Sequence, residues 1–147
     1  MKITRHSDYA FRLLIYLQLR PGETVRVREV AEAFDISENH LTKVSRKLIG
    51  LGLVHAKRGR GGGIVMEPAA ARWSLGDLMR ALEPKGEMAG CEGPDGHPLC
   101  PISPSCRLRG ILNEARGEFY RSLNRHQVGD LVADRMPRLK KNLGFQE

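Results

Sequence analysis

Apolar positions along this 147-residue chain change their spacing several times, and each change marks an element. From Ser7 to Leu19 the apolar residues Ala10, Phe11, Leu13, Leu14, Ile15, Leu17 and Leu19 are too many for one narrow stripe. The segment predicts a helix buried on more than one side. Pro21-Gly22 ends it, and Thr24 to Val27 reads as a short extended piece. A helix of about two turns follows over Arg28 to Phe34, then a turn at Asp35-Ile36-Ser37. Ser37 is a good N-cap for a third helix, Glu38 to about Leu51, in which Leu41, Val44, Leu48 and Leu51 recur at helical spacing and point inward. Gly52 is placed to stop that helix in the left-handed conformation.

The period then changes. Leu53 to Lys57 and Ile64 to Glu67 read as two strands joined by Arg58-Gly59-Arg60-Gly61-Gly62-Gly63, a hairpin with a basic, glycine-rich tip. Ser74 caps a helix from Leu75 to about Leu82, with Leu75, Leu78, Met79 and Leu82 inward. Pro84 to Pro101 has no periodicity and contains glycine, proline and cysteine. Ser103 and Pro104 open a long helix, about Pro104 to Arg125, with one stripe of Leu108, Ile111, Leu112, Ala115, Phe119 and Leu123. A helix this long on a small domain buries such a stripe against a partner helix. A short helix around Val128 to Asp134 precedes a basic tail, Arg135 to Lys141. The expected architecture is mainly α: a winged helix-turn-helix over residues 1–83, a cysteine-bearing loop over 84–103, and a long dimerisation helix with its tail over 104–147.

Charge narrows the class of partner. The net charge is +7 and the isoelectric point about 9.7, which points to a polyanion. The charge is also clustered: Asn39 to Met66 holds six basic residues (Lys43, Arg46, Lys47, Lys57, Arg58, Arg60) and no acid. Helix, turn, helix and wing place the third helix in a DNA major groove. Its outward surface carries Asn39, His40, Thr42, Lys43, Arg46 and Lys47. Asn39, His40 and Lys43 are the candidates for base edges, and Arg46 and Lys47 for phosphates. Arg58 and Arg60 suit the flanking minor groove. The glycine-rich tip is not a nucleotide-binding loop, because no P-loop lysine and Ser/Thr follow it. The chain shows no acid/base constellation or nucleophile motif, so an enzyme is not expected. No stretch approaches the roughly 18 apolar residues of a membrane span, and no apolar run follows the N-terminus. A cytoplasmic location is expected, where thiols stay reduced.

Three cysteines remain, Cys91, Cys100 and Cys106, spaced Cys-x8-Cys-x5-Cys. An odd number cannot pair off completely within one chain, and the Cys-x2-Cys pair of a zinc ribbon is missing. Three thiolates and one further ligand suit a zinc ion or an iron–sulfur cluster, and widely spaced thiolates wrap around the larger object. Three free thiols, or thiols that act by oxidation, are the alternative. His97 lies in the loop as a possible ligand, although a solvated loop histidine is the ordinary reading.

Four segments carry a family resemblance: Ser7-Asp8-Tyr9-Ala10, Asn39-His40-Leu41-Thr42-Lys43-Val44, the Arg58 to Gly63 tip, and Cys100-Pro101-Ile102-Ser103-Pro104-Ser105-Cys106-Arg107-Leu108-Arg109-Gly110. They resemble the NsrR-type nitric-oxide-sensing repressors of the IscR-like winged helix-turn-helix superfamily. The resemblance implies a homodimer on a palindromic operator in double-stranded DNA, with nitric oxide as the signal. It implies a 4Fe–4S cluster, or a 2Fe–2S cluster, on Cys91, Cys100 and Cys106. Asp8 of the other subunit resembles the fourth ligand of the 4Fe–4S form, although a residue beside Ser7 also suits N-capping of the first helix. A 2Fe–2S relative carries a histidine where this chain has Arg109, and a redox-type relative has Glu and His where this chain has Asp8 and Arg12.

Overall fold

A computed structural model describes residues 3–83, 91, 95 and 97–145. Their elements, in chain order, are α1 (Arg5–Gln18), α2 (Val27–Phe34), α3 (Glu38–Gly50), β1 (Val54–Lys57), β2 (Gly63–Met66), α4 (Leu75–Leu82), α5 (Arg107–Leu123) and α6 (Met136–Asn142), with short 3-10 turns between some of them. Two compact units are formed, one by the described residues of Met1–Trp73 and Gln127–Glu147, the other by those of Ser74–His126.

In the first unit α1 supplies the centre of the core. Ala10, Leu13, Leu14, Leu17 and Leu19 are fully buried or nearly so, and Tyr16 joins them; Phe11 and Ile15 are half-buried. Each leucine of this kind contributes about 1.5–3 kcal/mol relative to an exposed one. Helix α1 packs on α2, α3 and β2. The helix starts at Arg5 because Thr4 caps it: the Thr4 Oγ1 accepts from the Ser7 backbone N–H at 3.2 Å. Asp8 is therefore not the cap, and the capping oxygen lies four residues upstream of it.

Between α2 and α3 the backbone turns at Asp35, which takes a left-handed φ of 51°. The Ile36 N–H bonds back to the Ala31 carbonyl at 3.0 Å. Ser37 occupies the N-cap position of α3, but no side-chain capping bond is made there. Leu41, Val44, Ser45 and Leu48 are buried, whereas Leu51 is half-buried because the helix has already ended at Gly50. Gly52 takes φ +71°, and the Leu53 N–H reaches the Leu48 carbonyl at 3.0 Å, closing the helix as the glycine implied.

Strands β1 and β2 pair antiparallel, from Val54 opposite Met66 to Lys57 opposite Gly63. The extended piece after α1 joins them: Val25 and Ile64 exchange both backbone bonds, at 2.9 and 2.8 Å. Gly63 is needed there. A Cβ on it would stand 2.4 Å from the Val25 carbonyl oxygen.

In the second unit Ser74 caps α4 as expected, accepting from the Asp77 N–H at 3.2 Å, and its own hydroxyl donates to Asn124 Oδ1 at 2.8 Å. Gly76 lets α4 and α5 meet closely, since a Cβ would stand 2.5 Å from the Tyr120 carbonyl oxygen. The Arg80 guanidinium lies 4.6 Å from the centre of the Tyr120 ring.

Two expectations need correction. The long helix does not begin at Pro104. Ser103–Ser105 is a separate 3-10 turn, and at Cys106 the backbone extends (φ −79°, ψ 110°) before α5 starts at Arg107. Near the C-terminus, Val128–Leu131 and Ala133–Arg135 are 3-10 turns, and part of the basic segment read as a tail is helix α6. Gly144 at φ +72° ends it, and Phe145 lies 5.1 Å, centre to centre, from the Tyr16 ring.

Candidate DNA interface and thiol loop

Helix α3 divides its residues by side. Opposite the buried row, Asn39, His40, Lys43, Arg46 and Lys47 are exposed. Thr42 is half-buried, and its hydroxyl donates to the Glu38 carbonyl at 2.9 Å. That proton is engaged, so Thr42 contacts a base or phosphate only as an acceptor. Arg58 and Arg60 are exposed on the turn joining β1 and β2. They alternate with Gly59 and Gly61, whose φ values of 103° and 80° are left-handed. The connection between α1 and α2 is tied to α2 by Arg20, which donates to Glu23 at 2.8 Å and to Glu29 on α2 at 2.6 Å. Both bonds raise the arginine above its ordinary range.

A cleft of about 290 Å³ opens between the first turns of α1 and α3. Arg5, His6 and Tyr9 line one wall, and His40, Lys43 and Val44 the other. Sequence reasoning placed His40 and Lys43 at the interface and missed the α1 residues, which precede and interrupt the apolar pattern.

Asp8 is held by Arg12, with Nε to Oδ1 at 3.1 Å and Nη2 to Oδ2 at 2.9 Å. The same guanidinium lies 5.8 Å from the centre of the Phe34 ring. The i, i+4 spacing announces this pair in the sequence.

The cysteines belong to the second unit. Cys91, Cys100 and Cys106 form no disulfide with one another, and all are half-buried. Backbone bonds string them together: the Leu99 N–H to the Cys91 carbonyl at 2.9 Å, Ser103 N–H to Cys100 carbonyl at 3.0 Å, and Cys106 N–H to Ser103 carbonyl at 3.4 Å. Buried Ser103 accepts from Arg109 Nη1 at 3.4 Å. Much of the predicted loop (84–90, 92–94 and 96) lies outside the described residues. His97 is exposed, and its backbone N–H bonds to Asp95. Among the described residues no three His, Cys, Asp or Glu are gathered for a single metal ion. Three cysteines outside any disulfide, on one connected segment, nevertheless fit the donor set of an iron–sulfur cluster.

A model of the family described as "Rrf2: Iron-dependent Transcriptional regulator" matches residues 3–134. The chain belongs to the Rrf2 family. It is 38% identical over 136 residues to the HTH-type transcriptional regulator NsrR of Bacillus subtilis, covering 92% of each chain. It is 37% identical over 133 residues to the NsrR of Shouchella clausii, covering 90% of this chain and 89% of that one. These relatives are transcriptional regulators, not enzymes. Among solved structures, CymR, the global cysteine regulator of B. subtilis, has a TM-score of 0.67 at 24% identity, covering 90% of this chain and 97% of that one. The IscR of T. potens has a TM-score of 0.69 at 19% identity, covering 91% and 88%. The shared fold is the mainly helical winged helix-turn-helix of Rrf2 regulators. No described helix is long and apolar enough to cross a membrane.

Proposed function

We propose that this Rrf2 regulator is a repressor whose hold on DNA depends on an iron–sulfur cluster and is released by nitric oxide. The observation that carries the reading is the set of three half-buried cysteines, none in a disulfide, strung on one backbone-bonded segment. The identity to proteins named NsrR, spread over nearly the whole chain, supports it.

Cys91, Cys100 and Cys106 would hold the cluster, a 4Fe–4S form in preference to 2Fe–2S. Asp8 of a second copy would complete the set. When bound, the group supplies an iron that a carboxylate, a hard and weak donor, leaves comparatively open to a small diatomic ligand. The remaining steps belong to the protein. Asp8 has two partners to choose between, metal and Arg12, and the Arg12 pair is the arrangement it takes by itself. A change of partner at Asp8 acts on helix α1, the centre of the DNA-reading unit. Allosteric coupling of about 1–3 kcal/mol changes DNA affinity roughly 5–150-fold.

Asn39, His40 and Lys43 would meet base edges, with Thr42 accepting, while Arg46 and Lys47 bind phosphates. Arg58 and Arg60 would enter the flanking minor groove. The exposed Leu108 and Ile111 on α5 support pairing of two copies, and hence a palindromic operator. A cytoplasmic location follows from this role.

The test is the iron and sulfide content of protein purified without oxygen, its visible spectrum, and DNA binding before and after nitric oxide. About four irons and four sulfides per chain, with colour and DNA binding both lost on adding nitric oxide, is the expected result. Asp8→Ala should retain iron but lose the coupling to DNA. Colourless protein that binds DNA equally with and without iron would overturn the proposal in favour of a thiol-redox or zinc-dependent regulator.

A further inference from the structure

The cleft between α1 and α3 is a concave, open site on the unit that carries the reading helix. Its walls present Arg5, His6 and Tyr9 on one side and His40 and Lys43 on the other, over a floor that includes buried Val44. No carboxylate lines it. The nearest acid on α1 in sequence, Asp8, is engaged by Arg12. The Tyr9 and His40 rings stand 6.4 Å apart, centre to centre, and tilt by 33°. They flank an opening rather than stack closed upon each other.

We infer that this cleft grips one phosphate of the DNA backbone, clamping the duplex between α1 and the start of the reading helix. The inference rests on the DNA-binding reading of α3 and extends it to α1. Arginine offers a planar fork of donors that matches phosphate oxygens, and lysine a mobile point charge. The Tyr9 hydroxyl and the N–H groups of the two imidazoles add further donors. Such a set recognises a polyanion's oxygens and carries no base-specific pattern. The cleft volume of about 290 Å³ is several times that of a water molecule's share of liquid, roughly 30 Å³, so a phosphate enters together with ordered water. His40 and Lys43 lie on the first turns of α3, where a duplex seated on that helix brings its backbone. In this arrangement both residues set the depth and register of α3 in the groove.

The experiment measures the affinity of the full-length protein for a random-sequence duplex of about three helical turns between 50 and 200 mM salt. Such a duplex isolates the contacts to phosphate. Arg5→Ala should weaken binding about 5–10-fold and reduce the slope of log K against log salt by about one per clamped phosphate. Tyr9→Phe keeps the ring and should cost about 3–5-fold with the salt slope unchanged, as loss of one neutral donor requires. Circular dichroism confirms that each variant is folded. Lys47→Ala, on α3 but outside the cleft, tests the underlying reading separately. Wild-type protein that binds no duplex at low salt would defeat that reading. If Lys47→Ala weakens binding while Arg5→Ala and Tyr9→Phe leave affinity and slope intact, the clamp is overturned and the reading survives. Saturable binding of inorganic phosphate alone, below about 1 mM, would make the cleft a small-anion site and also overturn the assignment.

Discussion

Helices α3 and α5 are both amphipathic, yet they solve the problem of their apolar sides differently. Helix α3 buries Leu41, Val44 and Leu48 within its own unit and leaves a cationic face outside. Helix α5 is longer, and none of its residues is buried within the chain; Leu108 and Ile111 are 59% and 52% exposed. The first helix belongs to a unit that closes its own core. The second leaves apolar area exposed among the described residues, the area proposed above to pair two copies. The first unit thus buries its helices' apolar sides itself, while the second leaves part of α5 bare.

Core truncation sharpens that contrast most. Leu13→Ala in fully buried α1 should cost about 2–5 kcal/mol of unfolding free energy. Ile111→Ala should stay within about 0.5 kcal/mol for the monomer while raising the dimer dissociation constant. Denaturant melts and sedimentation at several protein concentrations separate the two effects. Equal monomer destabilisation by both changes would break the comparison. Next in size is Gly63→Ala, where the added methyl must displace the Val25 carbonyl. A loss of about 1–3 kcal/mol is expected, with the wing's amide protons exchanging faster. Unchanged exchange would show that the strand shifts freely.

The smallest effect is in acid. Burial pushes the Glu29 carboxyl up, but the Arg26 backbone N–H and the Arg20 guanidinium outweigh it, and its pKa is lowered. A carboxyl depressed on folding contributes stability that is fully present above its unfolded value near 4.5 and is lost as pH falls through the folded one. Because the pair is partly exposed, the contribution is below about 1 kcal/mol. Glu29→Gln should flatten the pH dependence of melting in that acid range and leave it alone at neutral pH.

Much of the reading unit was legible in the sequence. A dense apolar run identified α1, helical spacing identified α3, Gly52 marked a left-handed stop, and the run of basic residues announced a surface. Each of these needs only local information. Gly63 and Gly76 were opaque because a glycine's necessity lies in the remote backbone that approaches it. Helix α6 was hidden by its lysines and arginines, although Leu139, Leu143 and Gly144 carry the signal of a short capped helix. The break at Cys106 was also invisible: Pro104 suits the first turn of a 3-10 helix as well as that of an α-helix. At the candidate site the exposed cations could be identified by counting charge. The Arg12 grip on Asp8 and the α1 wall of the cleft depend on which side of the helix is left uncovered.

Between Arg5 and Arg12 runs uninterrupted α-helix, rising about 1.5 Å per residue. Arg5 and Asp8 are therefore roughly 4.5 Å apart along the axis, with no joint between them. Such a segment is a short stiff rod, with a different proposed task at each end. On that proposal, a pull or twist delivered at the Asp8 carboxylate would reach the Arg5 guanidinium as a change of aim. The distance over which a signal would have to travel through this protein is about one helical turn.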